Sequence, residues 1–294
     1  MFRRDPSSAA RARMGVSSQE RTMQPTPQDS HPLDLDAYLS RIGYRGALAP
    51  TREVLDALHT AHVRSIPFEN VDVLLGRRIR IDLGGVQAKL VQARRGGYCF
   101  EHNTLFVAVL RRIGFKVTTL IARVRLQQSD ITPRSHMLSL IDMPGGPLLA
   151  DVGFGGPGLS RSVRLVEGER QPQDVDVVSL RREGSSLWVL ESTMGEQPQD
   201  LYAFTLEESY PVDYEVANHF TSTHPGSLFV NNLIAALPTP EGRVTLRNRT
   251  LGVLRHGQLE RVELDREAIV GVLRDRFGLD LPAGAQLSCP GLDA

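Results

Sequence analysis

The sequence predicts an α+β fold in which a helical N-terminal half precedes a set of antiparallel strands. Between residues 33 and 113, apolar side chains recur at spacings of three and four, which is the helical period. After Gly114 the apolar segments are rich in β-branched residues or alternate with polar ones, as strands do. Clusters of Gly, Pro, Asp and Ser separate these segments, so short turns are expected between the strands. Helices that come first and strands that follow are the element order of an α+β protein.

Residues 1–31 precede this pattern and differ from it in composition. They contain five arginines together with several serines and prolines, and few large apolar side chains. Such a stretch cannot bury enough apolar surface to offset the entropy lost on ordering it. The sequence therefore predicts a disordered N-terminal extension.

Residues 32–115 are expected to form a helical domain, because four helical segments fall within this range. Glycines follow the apolar periodicity at points where helices should stop. The predicted helices cover residues 33–42, 51–62, 83–95 and 99–113.

Residues 116–210 are expected to form a meandering antiparallel sheet or barrel. Its predicted strands are 116–126, 136–142, 148–152, 175–181 and 187–191. Residues 211–294 mix both kinds of element. A connecting helix at 211–219 precedes predicted strands at 228–233, 243–247, 252–255 and 258–263, and a last helix at 265–277.

Charge and cysteine content exclude several classes of protein. Lys and Arg number 34 and so do Asp and Glu, which argues against a dedicated nucleic-acid binder because that class carries a basic excess. No run approaches the roughly 18 apolar residues of a membrane helix, and the N-terminus lacks the apolar core of a secretory signal. Cys99 and Cys289 are too few for a disulfide framework, and neither belongs to a Cys-x-x-Cys pair. A cytoplasmic protein is expected.

Cys99 is a candidate nucleophile because of its place in the chain. The segment 94–103, Arg-Arg-Gly-Gly-Tyr-Cys-Phe-Glu-His-Asn, puts Cys99 where one predicted helix has ended and the next begins. Free amides and the macrodipole at a helix N-terminus stabilise negative charge. This position favours the thiolate, which is the nucleophilic form of cysteine. The alternative is a small buried apolar residue, the more common role of a lone intracellular cysteine.

His136 and Asp151 are the candidate partners of Cys99. A cysteine nucleophile needs an imidazole to hold its proton, and a carboxylate or amide to orient the imidazole. His136 begins one apolar strand and Asp151 ends the next, so antiparallel pairing could bring the two side chains together. An acid at the end of an apolar strand is by itself more often a turn former. Occurring together, each at an element boundary, the three residues favour a Cys-His-Asp triad.

The remaining polar clusters have simpler interpretations. Cys99 with His102, and His59 with His62, resemble halves of zinc sites, but no second cysteine pair supplies four ligands, so no metal is predicted. The glycine-rich turn at 153–158 is not a Walker loop, because no Gly-Lys-Ser/Thr follows. It is either a tight turn or a set of amides that could hold an anion. Cys289, in a proline-flanked tail, is expected to be a spectator thiol.

The sequence resembles the arylamine N-acetyltransferases, which transfer an acetyl group from acetyl-CoA to arylamines and arylhydrazines. The similarity covers nearly all of residues 33–280, and the run Arg-Gly-Gly-Tyr-Cys is highly specific. The matching segments, in the family's order, are Tyr-Leu-Ser-Arg-Ile-Gly-Tyr at 38–44, Ile-Pro-Phe-Glu-Asn at 66–70, Arg-Gly-Gly-Tyr-Cys-Phe-Glu at 95–101, Ser-His at 135–136, Asp-Val-Gly-Phe-Gly at 151–155 and Ser-Thr-His-Pro at 222–225.

The resemblance implies an architecture and a set of site residues. A helical domain, a β-barrel domain and an α/β lid over residues 211–294 would surround a core like that of papain-type and transglutaminase-type proteins. The family's triad falls on Cys99, His136 and Asp151. Aromatic positions of the acceptor pocket fall on Phe68 and Phe154, and Phe100 and Phe220 could complete an aromatic-walled slot. Residues that meet the pantetheine and phosphates of CoA would be Thr132, Gly155 and Gly156.

The expected function is a ping-pong acetyl transfer through an acetyl-cysteine at Cys99. The expected partners are acetyl-CoA and small aromatic amines or hydrazines, with no nucleic acid, membrane or metal, and the chain would be a monomer or a homodimer. Two alternatives keep the same triad. One is an amide synthase that acts on a carrier-bound acyl chain, and the other is a thiol hydrolase that uses water as the acceptor. A binding protein without catalysis is the remaining possibility.

Overall fold

A computed structural model describes residues 32–193, 197–282 and 284–293. The predicted extension at residues 1–31 lies outside the described residues. Over the described residues the chain is a mixture of helix and sheet. The helices up to Ile113 and the strands from Lys116 follow the predicted order, and the domain boundaries themselves stay predictions.

The N-terminal half is helical, as predicted. Its first helix starts where the Asp34 carboxylate accepts the backbone N–H of Ala37, and it ends at Gly43 in the left-handed conformation. The elements of this half are α1 Leu35–Ile42, α2 Arg52–Ser65, β1 Phe68–Glu69, α3 Val71–Leu74, α4 Leu83–Val86, a π-helix Gln87–Gln92 and α5 Cys99–Ile113. The third predicted helix is thus α4 continued by a π-helix, whose wider turn has no signature in apolar spacing.

One apolar core joins α1, α2 and α5. Tyr38, Leu55 and Phe106 are fully buried within it. Ile141 and Ala150 extend the same core, so the helices pack directly against the strands that follow them. Helix α5 therefore has a fixed position relative to those strands.

The strands that follow form an antiparallel sheet. They are β2 Lys116–Val124, β3 Arg134–Asp142, β4 Leu148–Ala150, β5 Val163–Arg164, β6 Gln171–Pro172, β7 Val177–Glu183, β8 Leu187–Thr193 and β9 Pro198–Phe204. Across the described part of the chain their spatial order is β5-β4-β3-β2-β9-β8-β7-β6. The sheet curves into a nearly closed eight-stranded barrel around an apolar interior that includes Leu120, Leu138, Leu190 and Tyr202. Strands β5, β6 and β9 were not predicted.

A glutamine side chain closes the barrel between its two edge strands, β5 and β6. The Gln171 side-chain amide donates to the Arg164 carbonyl at 2.9 Å, and its carbonyl oxygen accepts the Arg164 backbone N–H at 2.6 Å. These two bonds reproduce the pairing that a neighbouring strand would supply. Further along, the Gly168 amide donates to the Leu180 carbonyl at 2.8 Å.

The C-terminal part is a second sheet with helices. Its elements are α6 Pro211–Thr223, α7 Leu228–Asn231, β10 Ile234–Thr239, β11 Gly242–Arg247, β12 Thr250–Arg255, β13 Gln258–Glu263, α8 Ala268–Phe277 and α9 Pro290–Asp293. β1 of the helical half pairs with β10 and thereby joins this sheet. An apolar core containing Leu246, Leu273 and Phe277 lies between the sheet and α8.

The predicted strand at 228–233 is wrong. Its first four residues form α7, because the Ser227 hydroxyl accepts the Phe229 N–H at 3.3 Å and caps a helical turn. The strand begins six residues later than predicted, as β10. Among the described residues, no helix combines the length and the apolar character that crossing a bilayer requires.

Candidate active site

Cys99 is the first residue of α5, as predicted, and is 3% exposed. The helix is held at its start by the Glu101 carboxylate, which accepts the backbone N–H of Tyr98 at 3.0 Å. The first amides of an α-helix have no partner within the helix, so their partial positive charge surrounds the Cys99 thiol. The thiol itself lies 3.6 Å from the Ser135 carbonyl oxygen, next to β3.

Two glycines allow the chain to pass close to this helix start. A Cβ atom on Gly96 would lie 2.0 Å from the Pro67 carbonyl oxygen, so the segment before Cys99 can rest directly on residues 67–69. A Cβ atom on Gly153 would lie 2.7 Å from the Cys99 Cα, so the turn after Asp151 touches the cysteine backbone. Both glycine-containing motifs thus meet at Cys99.

His136 and Asp151 come together through the pairing of β3 with β4. These strands are antiparallel neighbours, and Asp151 directly follows β4. The His136 Nε2 lies 2.7 Å from the Asp151 Oδ2, and both side chains are almost fully buried. The other side of the imidazole hydrogen-bonds the Cys99 thiol. The structure therefore brings together the three predicted catalytic residues, whose catalytic role stays a prediction.

The protonation of this pair follows from its partners. Burial alone would lower the pKa of His136, but the charge of Asp151 and hydrogen bonds to Asp151 and Cys99 raise it to about 10. Burial would raise the pKa of Asp151, but the charge of His136 and hydrogen bonds from His136, Asn103 and Gly153 lower it. At neutral pH the arrangement favours an imidazolium beside a carboxylate.

Asn103 is a residue of this site that the sequence interpretation missed. It lies four residues after Cys99 on α5 and is fully buried. Its side-chain amide donates to the Asp151 Oδ1 at 3.0 Å and to the Met137 carbonyl at 2.8 Å, and its oxygen accepts the Val152 N–H at 3.2 Å. Asn103 thus ties the helix of the cysteine to both strands that carry its partners. The signal in the sequence was the spacing of four, which places it on the same helix face as Cys99.

Two further buried side chains surround Asp151. The Tyr202 ring lies 4.9 Å from the His136 ring, and burial together with the charge of Asp151 raises the pKa of the Tyr202 hydroxyl well above its usual value. On the backbone side, the Asp151 N–H donates to the His59 Nε2 at 3.3 Å. Because this N–H is a donor, the His59 Nε2 must be unprotonated, and burial accordingly lowers the pKa of His59.

A buried ionic network fixes the loop that precedes the cysteine. Arg95 bonds Glu69 at 2.7 Å and Asp72 at 3.3 Å, and Lys89 bonds Glu101 at 2.8 Å and Asp72 at 3.1 Å. Burial would lower the pKa of Lys89, but the charges of Glu101, Glu69 and Asp72 raise it. Since each carboxylate has a cationic partner, the network holds β1, the π-helix and the start of α5 in one arrangement.

Aromatic rings lie beside these polar residues. Phe68 packs in one apolar cluster with Cys99, and its ring lies 5.9 Å from that of Phe229. The ring of Phe154, half-buried, stands edge-on to His136 at 5.2 Å. The structure thus brings Phe68 and Phe154 to the site, and it adds Phe229 on α7, which the sequence interpretation missed.

The two other aromatic residues expected in the slot are Phe100 and Phe220. Phe100 is fully buried against Tyr98 and Tyr214, so it cannot form an open wall, and that expectation is wrong. Phe220 is half-buried near the end of α6 and stacks on His224 at 4.4 Å. Its role in substrate binding stays a prediction.

Comparison with known proteins identifies the family of this chain. A family model described as N-acetyltransferase matches residues 51–286. An arylamine N-acetyltransferase of Mycolicibacterium smegmatis is 41% identical over 256 residues, covering 85% of this chain and 93% of that protein. The chain belongs to the arylamine N-acetyltransferase family. Members of this family are acyltransferases.

Other relatives in the family agree in sequence and in fold. An arylamine N-acetyltransferase of Mycobacterium tuberculosis is 42% identical over 258 residues, covering 85% of this chain and 90% of that protein. The solved structure of the Mycobacterium marinum arylamine N-acetyltransferase in complex with CoA superposes with a TM-score of 0.80 at 38% identity. The superposition covers 83% of this chain and 92% of that one. The barrel and its flanking helices are thus the fold of the arylamine N-acetyltransferases.

The residues that the family resemblance assigned to CoA lie in two places. Gly155 and Gly156, both with positive φ, form the turn after Asp151, and a Cβ atom on Gly155 would lie 2.8 Å from the Phe68 ring. Thr132 precedes β3, and its hydroxyl donates to the Val124 carbonyl at 2.6 Å. Their contact with CoA stays a prediction.

The other cysteine and the histidine pairs show no metal-ligand geometry. Among the described residues, no group of three or more His, Cys, Asp and Glu side chains could hold a metal ion. Cys289 is buried in the core between the second sheet and α8.

Proposed function

We propose that this chain transfers the acetyl group of acetyl-CoA to the nitrogen of arylamines and arylhydrazines through an acetyl-cysteine at Cys99. The observation that carries the proposal is the position of His136, which hydrogen-bonds the Cys99 thiol on one side and the Asp151 carboxylate on the other. A base held between a nucleophile and an orienting carboxylate is the arrangement of acyl-transfer triads. The family membership supports the same reaction class.

The first half-reaction is the exchange of one thioester for another. His136 holds the proton of Cys99, and the resulting thiolate attacks the acetyl carbonyl carbon of acetyl-CoA. A bond forms between this carbon and the Cys99 sulfur, and the bond to the CoA sulfur breaks. The departing CoA thiolate takes the proton from the His136 imidazolium and leaves as the thiol. The free amides at the start of α5 would stabilise the oxyanion of the tetrahedral intermediate.

The second half-reaction moves the acetyl group to nitrogen. The amine nitrogen attacks the carbonyl carbon of acetyl-Cys99, and neutral His136 accepts the proton that the nitrogen loses. The carbon–sulfur bond breaks, and Cys99 leaves as a thiolate beside the newly formed imidazolium. The site thereby returns to its starting protonation, and Asp151 keeps its charge throughout.

The neighbouring rings suit an aromatic acceptor. Phe68, Phe154 and Phe229 would offer apolar contact to an aryl ring whose nitrogen points at Cys99. Exclusion of water by these rings would protect the acetyl-cysteine from hydrolysis. The Gly155-Gly156 turn and Thr132 would meet the pantetheine and phosphates of CoA.

Mass spectrometry of the intact protein tests the proposal. After incubation with acetyl-CoA alone, the wild-type chain should gain one acetyl group, which peptide mapping should locate at Cys99. The matched variants are Cys99→Ala, expected to gain none, and Cys289→Ala, expected to gain one like the wild type. If acetyl appears only after an acceptor is added, or resides elsewhere than Cys99, the ping-pong scheme is wrong.

Kinetics with different acceptors separate this proposal from its alternatives. Transfer to an arylhydrazine should be faster than hydrolysis of acetyl-CoA without an acceptor. Faster hydrolysis would indicate a thiol hydrolase. An enzyme whose Cys99 is acylated slowly by acetyl-CoA but rapidly by an acyl chain bound to a carrier protein would be an amide synthase.

A further inference from the structure

A chain of hydrogen bonds between neutral side chains runs through the helical core beside the site. The Tyr38 hydroxyl lies 2.9 Å from the His62 Nδ1, and the His62 Nε2 lies 2.9 Å from the His102 Nδ1. The His102 Nε2 lies 3.2 Å from the Pro67 carbonyl oxygen. The three side chains come from α1, α2 and α5, and each is at most 1% exposed. The reaction described above uses none of them.

The carbonyl at one end assigns every proton in this chain. A carbonyl oxygen can only accept, so the His102 Nε2 carries a proton. In a neutral ring the His102 Nδ1 then accepts, which requires the His62 Nε2 to donate. The His62 Nδ1 therefore accepts the hydroxyl proton of Tyr38. All three bonds point in the same direction, from α1 towards Pro67.

The surroundings keep both imidazoles neutral. Burial lowers the pKa of His102 to about 4 and that of His62 well below its usual value. The cations Arg41 on α1 and Lys89 on the π-helix act in the same sense. A second proton on the His102 Nδ1 would face the N–H of the His62 Nε2 and break the hydrogen bond between the two rings.

The chain of hydrogen bonds ends at the carbonyl of Pro67, the residue before Phe68. Pro67 accepts the His102 N–H and, at 3.3 Å, the Gly97 N–H, so its carbonyl is held from two sides. The His102 ring is also nearly parallel to the Phe68 ring, with centroids 6.4 Å apart and planes 13° apart. His102 follows Cys99 by one helical turn on α5. It therefore fixes the distance between the helix of the nucleophile and the ring of Phe68.

We propose that Tyr38, His62 and His102 are positioning residues that set the acceptor wall at Phe68, and so control recognition of the aromatic acceptor rather than acetylation of Cys99. This inference rests on the proposed function, because it takes Phe68 as part of the acceptor pocket. None of the three hydrogen bonds in this chain involves Cys99 or His136. The half-reaction with acetyl-CoA is thereby separable from the half-reaction with the amine.

Three substitutions test the chain. His102→Phe keeps an aromatic ring beside Phe68 but removes both nitrogens, and it should raise the arylamine KM about tenfold or more. His102→Gln restores a donor that can reach the Pro67 carbonyl, and most of the wild-type KM should return. Tyr38→Phe removes the far hydroxyl alone and should raise KM about two- to fivefold. In each variant the rate of Cys99 acetylation by acetyl-CoA, followed by rapid-quench mass spectrometry, should change less than about twofold.

Tyr214→Phe is the matched control for Tyr38→Phe. Tyr214 is a buried tyrosine whose hydroxyl donates to the Leu120 carbonyl at 3.1 Å and is not part of the chain. Its loss should leave the arylamine KM unchanged. In the double variant Tyr38→Phe/His102→Phe, the two effects on KM should not add, because His102→Phe already breaks the chain.

Two measurements would overturn the inference. If a variant lost activity equally in Cys99 acetylation and in transfer to the amine, the three residues would have only a general packing role. Equal changes in the arylamine KM for Tyr38→Phe and Tyr214→Phe would mean the same. Nitrogen-15 NMR of the imidazoles at neutral pH should find the Nε2–H form in both His62 and His102, and an Nδ1–H form in either ring would contradict the proton assignment. Absence of acetyl-Cys99 in the wild type would instead contradict the proposed function, so the two failures are distinguishable.

Discussion

Two kinds of buried histidine lie within this fold, and they have opposite protonation. His136 on β3 and His102 on α5 are both almost fully buried. The pKa of His136 is raised to about 10, whereas that of His102 is lowered to about 4. Burial acts in the same direction on both, so the partners decide. His136 faces a carboxylate, and His102 faces a carbonyl and another imidazole.

The different partners explain why one histidine can transfer a proton while the other keeps a fixed orientation beside Phe68. A ring paired with a carboxylate keeps a charge that it can exchange with a thiol or an amine. A ring in a neutral, one-directional chain has one stable tautomer and therefore one fixed orientation. The same residue type thus serves proton transfer in one place and geometry in the other.

Neutralising the carboxylate beside His136 should have the largest effect. Asp151→Asn should lower the acetyl-transfer kcat/KM about 10³- to 10⁴-fold, because His136 would lose both its charge partner and its orientation. Steady-state kinetics with an arylhydrazine measures the loss. Asp176→Asn is the control, since Asp176 is a buried acid paired with Arg243 away from the site. Comparable activity losses in the two variants would mean that Asp151 acts through stability rather than through His136.

Acid should distinguish the two kinds of histidine in the free energy of unfolding. For His102 the pKa is lower in the folded than in the unfolded chain, so below the unfolded value of about 6.5 the unfolded state binds more protons. Stability should therefore fall by roughly 3 kcal/mol from this group as pH drops from about 6.5 to about 4. His136 is protonated in the folded state throughout this window, and its contribution is lost instead as pH rises towards about 10.

Urea unfolding at a series of pH values checks this expectation. The acid slope should be shallower in His102→Gln than in the wild type, because one buried neutral imidazole has been removed. The lowered pKa of Asp151 affects stability at still lower pH, below its ordinary value of 3.8, and does not contribute to this window. Identical slopes for the two proteins would indicate that His102 is charged in the folded state.

Asn103→Ala tests the link between the nucleophile's helix and its partner strands. The variant removes the amide that bonds Asp151 and Met137, so a buried carbonyl and a carboxylate lose a donor. The free energy of unfolding should fall by about 2 kcal/mol. Transfer activity should fall about tenfold or more, because the triad geometry loosens. Asn103→Gln provides the comparison that keeps an amide, and full activity in the alanine variant would show that β3 and β4 hold the triad unaided.

The smallest expected effect belongs to the hydroxyl of Tyr202. Tyr202→Phe keeps the ring against His136 and removes a buried hydroxyl that has no hydrogen-bond partner among the described residues. Because no hydrogen bond is lost, kcat/KM should change less than about twofold. Steady-state kinetics with an arylhydrazine measures this change. A loss as large as that of Asp151→Asn would mean that the hydroxyl itself takes part in proton transfer.

The sequence was sufficient to identify the site residues that lie at the boundaries of helices and strands. Cys99 could be found because glycines precede it and helical spacing follows, and His136 and Asp151 could be found because each borders an apolar strand. Asn103 bonds Asp151 from 48 residues away in sequence; its helical spacing from Cys99 indicates a shared helix face but not this partner. The Tyr202 ring packs on His136 from another strand, and a contact made across the fold in this way leaves no local pattern to detect.

Most helices and long strands were likewise predictable, and the short elements were not. β5 and β6 contain two residues each, which is below the length at which alternation can be recognised. The π-helix Gln87–Gln92 has apolar residues at the spacing of an α-helix, so the sequence does not distinguish the two, and its Lys89 is paired with Glu101 across the fold. The short helix α7 was mistaken for a strand because Leu, Phe and Val suit both, and one capping serine decided the outcome.

The side chain of Gln171 has a consequence for the behaviour of the protein in concentrated solution. Short strands at the seam of an incomplete barrel present unpaired backbone groups, which invite addition of a strand from another molecule. The Gln171 side chain bonds both the N–H and the carbonyl of Arg164, so these two backbone groups of β5 cannot pair with a strand of another molecule. We expect this pairing of Arg164 to make edge-to-edge association at β5 less favourable, a result that many proteins obtain with charged or proline-containing edges.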